Sequence, residues 1–404
     1  MFKNFIFIIS FILFICGCNE KKTSDTEESI ESISLNPHEA VESINLSEIA
    51  DSVKCIRLQT ESNDIMGRVN EIIIRQKYIY AKDVSQQMIF VFDKEGKFVA
   101  KLNKKGQGPD EYNWLGPFVI GDNEEYIEVV NSAGSKSTLL KYTNLSFNLV
   151  DKNPFPNVNS NAFRRNNGFY YFATQQMDNT INGKETNAGL IIVNDKNEYK
   201  VLFDKKINTE HFIFSPNEES FTINDKNELF LTLMYDNTFY RLEGEDVYPV
   251  YSVDFGKYSI NNKIGLESTR KQFNYIQGAI GRASFPVLNL NNDDIMSFSY
   301  YFKQSEGEMY SEEDYRLYIK MKKTGKVYHT KKIKNDITDF PDNLIISSFF
   351  FGCTHEVWYE NYLVDIIRPD KYFPDDTSKV FVEGLGEITA YDNPIVVMMK
   401  LKEN

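Results

Sequence analysis

Residues 67–112 constrain the fold more than any other stretch of the chain. Four short runs rich in apolar and β-branched residues follow one another at 69–75, 78–83, 88–93 and 98–102, with polar turn residues between them. Such runs predict an up-and-down antiparallel meander of four strands. Residues 88–92 (MIFVF) show no polar–apolar alternation, so both faces of that strand must be covered. A lone sheet in water cannot cover both. A blade of a β-propeller can, because each blade packs between two others.

Comparable groups of runs recur at about 115–150, 161–204, 212–255 and 276–333, and again from about 344 onward. They share spacing and hardly any identity, as radial β architectures do. The fourth group is expected to begin with a strand at 212–216, and the last with one at 347–352. The last group offers three good strands where four are needed, while an isolated run at 53–58 is left over. Pairing that run into the last group closes the ring and removes an open edge. Alternation then puts Ile56 and Leu58 on one face of the closing strand and Cys55 and Arg57 on the other. The expectation is an all-β fold: a six-bladed β-propeller of four-stranded antiparallel blades, closed by an N-terminal strand in the last blade. Residues 259–285 are ambiguous and leave five or seven blades open. Helical spacing is read at 264–276 (Ile264, Leu266, Phe273, Ile276) and at 378–389 (Phe381, Leu385, Ile388).

The N-terminus reads as a signal segment. Lys3 gives a short positive region, and residues 5–15 form an apolar stretch broken only by Ser10. It is too short for a comfortable membrane span, which needs about 20 apolar residues, and it suits a signal peptide. Residues 15–18 (ICGC) resemble a bacterial lipobox. That resemblance implies cleavage before Cys18 and lipidation of its thiol; an ordinary secretory signal with an incidental cysteine is the other reading. The expected organisation is a lipoprotein signal peptide at 1–18, a flexible tether at 19–45 and the propeller at 46–404. The charged stretch 19–34 is expected to bury nothing. A lipid anchor places the protein in the cell envelope, on the periplasmic or outer side of an outer membrane.

Composition narrows the partners. The chain has 404 residues and a formal net charge of -13, which argues against nucleic acid, since phosphate recognition needs clustered Lys and Arg. The aromatic fraction of 14% favours strands.

Residues 90–112 (FVFDKEGKFVAKLNKKGQGPDEY) resemble the signature of the six-bladed, NHL-like β-propeller lipoproteins of Bacteroidetes, and residues 390–404 (AYDNPIVVMMKLKEN) resemble their C-terminal strand. The resemblance covers both ends of the propeller, and the middle agrees in spacing alone. It implies a fold and a cell-envelope address, and it carries over no catalytic residue.

The most distinctive local stretch is 106–112 (GQGPDEY). It joins the outermost strand of one blade to the innermost strand of the next, where propeller ligands usually sit. Gln107, Asp110 and Glu111 are therefore the candidate ligand-facing residues. The favoured alternative is a structural crossover with Tyr112 packed between blades, since loop rigidity alone accounts for Gly106, Gly108 and Pro109. No phosphate-loop pattern, nucleophile elbow or HExxH pair occurs; four on from His355 stands Tyr359. The four histidines are scattered, so no metal ligands are nominated and no cofactor is expected. Calcium is the ion that oxygen donors such as those at 289–294 (NLNNDD) would hold, though that cluster reads equally as a turn. Cys55 and Cys353 are expected to be buried free thiols. The leading functional reading is a lipid-anchored binding or interaction module for a glycan, peptide or partner protein. Exposed aromatics among Trp114, Tyr170, Tyr171, Tyr300, Tyr301 and Trp358 would supply stacking surfaces, with inter-blade core the better assignment for most. The alternative is a calcium-dependent enzyme of lactonase or lyase kind, by fold analogy only.

Overall fold

Strands form where the apolar runs lie. The computed structural model describes residues 30–402 apart from 61–64, 122, 134–135, 161, 176, 205–219, 307–310, 341–357 and 374–378. Three strands precede the first blade: β1 (Glu31–Ser34), β2 (Ile44–Asn45) and β3 (Ala50–Arg57). Blade 1 is β4 (Val69–Ile74), β5 (Tyr78–Asp83), β6 (Met88–Asp93) and β7 (Phe98–Leu102). Blade 2 is β8 (Leu115–Ile120), β9 (Tyr126–Ala133), β10 (Lys136–Thr143) and β11 (Leu149–Phe155). In blade 3, β12 (Ala162–Asn166) and β13 (Phe169–Ala173) lead into a small hairpin, β14 (Asn179–Ile181) and β15 (Lys184–Thr186), before β16 (Ala188–Val193) and β17 (Tyr199–Asp204). Blade 4 is β18 (Phe221–Ile223), β19 (Leu229–Thr232), β20 (Thr238–Glu243) and β21 (Asp246–Asp254), followed by helix α1 (Thr269–Gln277). Blade 5 is β22 (Ala283–Asn291), β23 (Ile295–Phe302), β24 (Tyr315–Met321) and β25 (Val327–Thr330), with β26 (Ile333–Lys334) beyond it. Blade 6 takes β27 (Trp358–Tyr359), β28 (Tyr362–Ile367) and, after a hairpin of β29 (Lys379–Val382) and β30 (Gly386–Thr389), β31 (Ile395–Leu401). Its fourth strand is β3, hydrogen-bonded antiparallel to β31 with Cys55 opposite Val397 and Arg57 opposite Ile395. The molecule is a six-bladed β-propeller, closed as the leftover strand predicted.

Turn chemistry explains why the blades break where they do. Asp93 Oδ1 accepts from the N–H groups of Glu95 (3.1 Å) and Lys97 (2.8 Å), and Gly96 takes the left-handed φ of 84°. Residues 194–198 and 224–228 are the same pentapeptide, NDKNE. Each repeats the device with asparagine: Asn194 Oδ1 accepts from Lys196 N and Glu198 N, and Asn224 Oδ1 from Lys226 N and Glu228 N. Asn197 and Asn227 stand where Gly96 stands, at φ 59° and 61°.

Six apolar layers, one per seam, hold the blades together. The layer between blades 6 and 1 carries the closure. Ile56 and Leu58 pack there with Val364, Ile366, Val396 and Met398 against Met66, Val69, Ile72 and Phe90, while Cys55 packs on the opposite face towards blade 5. Arg57 reaches the same end of blade 6, pairing with Asp392 at 2.5 Å and donating to Leu385 O.

The N-terminal segment does more than close the ring. The tether expected over 19–45 is corrected for residues 31–45, which are built into the fold; residues 19–29 lie outside the described residues. β1 adds a fifth, parallel strand to the outer edge of blade 4, pairing Glu31 with Tyr251 and Ser34 with Asp254. Ile33 is buried among Val253, Phe255 and Phe298. The chain then crosses to blade 5, where Val41 bridges Thr330 and β2 pairs parallel with β26. Leu46 and Ile49 fill the seam between blades 5 and 6 just before β3 begins. The segment is thus a strap over three consecutive outer edges, covering strand edges that would otherwise be open.

Three further expectations change. Residues 379–389 form the β29–β30 hairpin and no helix, and residue 378 lies outside the described residues. Gly384 and Gly386, at φ 81° and 80°, make the turn, and Val380, Phe381 and Val382 are strand formers. The innermost strand of blade 4 is Phe221–Ile223; the expected strand at 212–216 lies outside the described residues. So does the one at 347–352, and Trp358–Tyr359 holds the innermost place in blade 6. The helical reading of 264–276 is met in part by α1, preceded by a 3-10 turn at Asn262–Leu266.

Candidate functional face

Up-and-down blades send their connections alternately to two ends. At one end lie the turns from first to second and from third to fourth strand, such as 75–77, 94–97, 167–168, 194–198 and 224–228, all short. At the other lie the turns from second to third strand and the crossovers between blades. These include 103–114, 174–187, 255–282, 303–314 and 368–394, and they carry β14–β15, α1 and β29–β30. One face is trimmed and the other elaborated. Long loops on a rigid scaffold are where binding residues concentrate.

Buried polar side chains pin the elaborated face. Gln87 Oε1 accepts from Leu115 N at 2.8 Å, Asn131 Oδ1 from Asn113 N at 2.9 Å and Gln175 Oε1 from Met234 N at 3.0 Å. The first and last of these join one blade to the next. Asp83 gathers the backbone N–H groups of Gly67, Arg68, Ser85 and Gln86. Burial alone would raise its carboxyl, but these bonds and the one from the Ser85 hydroxyl hold it below the usual value. Nearer the axis, ion pairs also tie the seams, a buried one within blade 1 and a partly exposed one between blades 2 and 3. Lys82 pairs with Glu71 at 2.8 Å and reaches Gly116 O of blade 2, and Arg165 of blade 3 binds Glu128 of blade 2.

The crossover 103–114 is folded upon itself. Gly106 N donates to Tyr112 O and Tyr112 N to Lys104 O, each at 3.0 Å. Glu111 turns inward, its Oε2 accepting from Gly108 N at 2.6 Å. A Cβ at Gly106 would lie 1.9 Å from that oxygen, so any side chain there would displace the Glu111 carboxylate from this position. Asp110 pairs with Lys104 at 2.6 Å, and that hydrogen bond holds its carboxyl below the ordinary carboxylate value. Tyr112 is fully buried; its hydroxyl donates to Gln87 O at 2.7 Å, and burial pushes the phenol up to about 12. Tyr142 of blade 2 donates to Asp110 O at 3.0 Å. Gln107, Asp110 and Glu111 therefore share one stapled turn between blades 1 and 2, with Gln107 the most open to solvent.

Among the aromatics singled out from the sequence, Tyr171, Tyr300, Tyr301 and Trp358 are buried and Tyr170 is half-buried. Trp114, at the end of the stapled crossover, is 56% exposed. Other large apolar side chains stand open at the same end of the ring: Ile65, Leu266, Phe273 and Ile280, together with Phe381 (72%) and Tyr391 (58%). Sequence reading passed over Ile65, Ile280 and Tyr391. Their signal was weak, lone apolar residues inside connections with no partner run.

Among the described residues no three His, Cys, Asp or Glu side chains come together as metal ligands. The oxygen-rich stretch at 289–294 is the end of β22 and the turn after it: Asn292 Oδ1 accepts from Asp294 N and Ile295 N. Cys18, Cys353 and His355 lie outside the described residues. Cys55 is a free thiol, and burial pushes it up to about 11. No helix among the described residues is long and apolar enough to cross a membrane.

A family model described as Domain of unknown function (DUF4934) matches residues 30–400, from the strap to the closing strand pair. The protein belongs to the DUF4934 family. A DUF4934 chain of this kind has structural neighbours in Bacteroides, as the sequence resemblance implied. One is an exported protein of Bacteroides fragilis NCTC 9343, similar at TM-score 0.65 and 17% identity over 93% of this chain and 100% of that one. Another is a member of the DUF4221 family from Bacteroides vulgatus, at TM-score 0.52 and 11% identity over 87% and 97%. At these identities the likeness is one of fold. No curated protein matches this DUF4934 member.

Proposed function

We propose that the protein is an exported, lipid-anchored binding module that engages a partner protein or peptide through its elaborated face. The observation that carries this reading is the asymmetry of the ring: the long connections and the open Trp114, Phe273, Phe381 and Tyr391 share one end, and short turns occupy the other. Open phenylalanine, leucine and isoleucine side chains suit a protein surface better than a sugar, which calls for aromatic faces ringed by polar groups. Gln107, in the same crossover as Trp114, is the polar contact this face offers from it. Export is supported by the signal-like N-terminus and by the exported fold neighbour. Anchorage is supported by the lipobox-like residues before Cys18.

Two experiments test the parts separately. Cys18→Ala should leave unprocessed precursor and abolish labelling by a fatty-acid analogue; undiminished labelling refutes the anchor. For the face, a photo-crosslinking residue is placed at 114, 273, 381 or 391, and at 95, 197 or 325 in the short turns. Adducts with one partner are expected from the first set only, and Trp114→Ala with Phe381→Ala should weaken its binding without lowering the melting temperature. Equal adducts from both sets, or a purified glycan panel that binds where no protein does, contradicts the reading.

A further inference from the structure

A cleft of about 420 Å3 opens in the seam between blades 4 and 5, towards the trimmed end of the ring. Small-molecule sites usually measure about 300–1,000 Å3. The strap and blade 4 form most of the wall with Glu31, Glu228, Phe230, Val250 and Tyr251, and Asn291, at the end of β22, closes it from blade 5. The register puts these side chains on the face towards blade 5. Tyr251 stands opposite both Phe239 and Glu31, and Phe230 opposite Arg241. Phe230, Phe239, Val250, Tyr251 and Ile33, two on from Glu31, all pack in the layer between the two blades. Arg241 also lines the cleft and is paired with Glu243 at 3.0 Å.

The groups left unmet specify the ligand. Asn291 is 8% exposed, and its Oδ1 accepts from Lys322 Nζ at 2.7 Å and from the Tyr251 hydroxyl at 3.2 Å. An ammonium only donates, so the carbonyl must face Lys322, and the Nδ2 N–H groups are left without a partner among the described residues. Glu31 accepts from Lys320 through Oε1 at 2.6 Å, and Glu228 accepts from Asn224 through Oε2 at 2.7 Å. Glu31 Oε2 and Glu228 Oε1 have no partner among the described residues. Asn224 also donates to Asn291 O at 3.0 Å, which ties the two blades together beside the cleft. Charge is offset throughout: Lys320 beside Glu31, Glu243 beside Arg241, and Lys322 near enough to Glu228 to feel its charge. A metal cation would meet amide donors and ammonium groups here, and an oxyanion would meet two carboxylates. A neutral ring carrying hydroxyls, which donate as well as accept, matches the amide, the open carboxylate oxygens and the apolar surface of Val250 and Tyr251.

We propose that this cleft binds a neutral sugar, its hydroxyls donating to Glu31 Oε2 and Glu228 Oε1 and accepting from Asn291 Nδ2, with a C–H face against Val250 and Tyr251. The cleft lies at the opposite end of the ring from Trp114, so a sugar here and a protein partner there are separate events.

Saturation-transfer NMR tests this with methyl glycosides of glucose, galactose, mannose, xylose and N-acetylglucosamine, and with maltose, cellobiose and lactose. Spermidine and phosphate, titrated by calorimetry, are the charged comparators. Saturable transfer to at least one sugar is expected. Glu31→Ala, at an exposed position, and Asn291→Ala should each weaken it about tenfold. Val250→Trp fills the cleft and should abolish it, while Trp114→Ala should leave it unchanged; circular dichroism checks that each variant is folded. No saturable transfer to any of the sugars, transfer that survives Val250→Trp, transfer lost in Trp114→Ala, or tighter binding of spermidine or phosphate than of every sugar overturns the proposal.

Discussion

Replacing Leu58 with alanine tests ring closure at its tightest point. Leu58 is fully buried and Ile56 is 4% exposed, both in the layer that joins the last blade to the first. The neighbours come from two blades, Val396 and Met398 on one side and Met66 and Val69 on the other, so the hole left behind cannot close without moving a whole blade. Truncating a buried leucine costs about 2–5 kcal/mol. A domain of ordinary stability has only about 5–15 kcal/mol to lose. Asp51→Ala, at an exposed position of β3, the strand that Leu58 follows, serves as control and should change stability by less than about 0.5 kcal/mol. The assay is urea unfolding at 25 °C followed by far-ultraviolet circular dichroism, with the midpoint compared at constant slope. If Leu58→Ala unfolds within about 0.5 kcal/mol of the parent, the strand does not carry the seam and the closure argument fails.

Deleting residues up to Ser34 removes β1 and the burial of Ile33, so it should destabilise by about 1.5–3 kcal/mol rather than pass unnoticed; thermal melting beside the full domain checks this. With its thiol pushed up to about 11, Cys55 should alkylate slowly at pH 8 in the folded protein and rapidly in urea, as read by mass spectrometry. Burial, reinforced by the Arg316 charge, lowers the His329 imidazole to about 4, and its Nε2 meets the Tyr300 hydroxyl at 2.8 Å. The unfolded chain, with a value near 6.5, binds more protons between those limits. Stability should therefore fall as pH drops from about 6.5 to about 4 and change no further through this group below that. His329→Gln should flatten that slope in denaturant midpoints measured against pH.

What the sequence showed, and what it hid, has physical causes. Blade 1 was legible almost to the residue, and blade 3 as a group of runs, because their turns hold Asp93, Gly96, Asn194 and Asn197, residues that stop a strand by their own backbone preferences. Phe221–Ile223 is too short a run to stand out from its surroundings. The strap was read as tether up to residue 45 because its anchors there, Ile33 and Ile44, are single apolar residues in a polar stretch; what orders them is the edges of blades far along the chain. Residues 378–389 have apolar spacing that fits a helix, and Gly384 with Gly386 decides for a hairpin. In the crossover, Gly106 and Pro109 announced a rigid turn. That Glu111 folds back onto Gly108 N, and that Tyr112 staples Gln87, depends on partners no local pattern contains.

The central structural claim is that β3 belongs to the last blade as fully as the strands encoded beside it. Amide hydrogen exchange on the intact protein measures this directly. Cys55 and Arg57 face Val397 and Ile395 in register, so the amides of Ala50–Arg57 that bond to β31 should exchange in the slowest class, together with those of Ile395–Leu401, and only through opening of the whole ring. Exchange of β3 amides orders of magnitude faster than those of β31 partners, as a fraying end would show, contradicts the account.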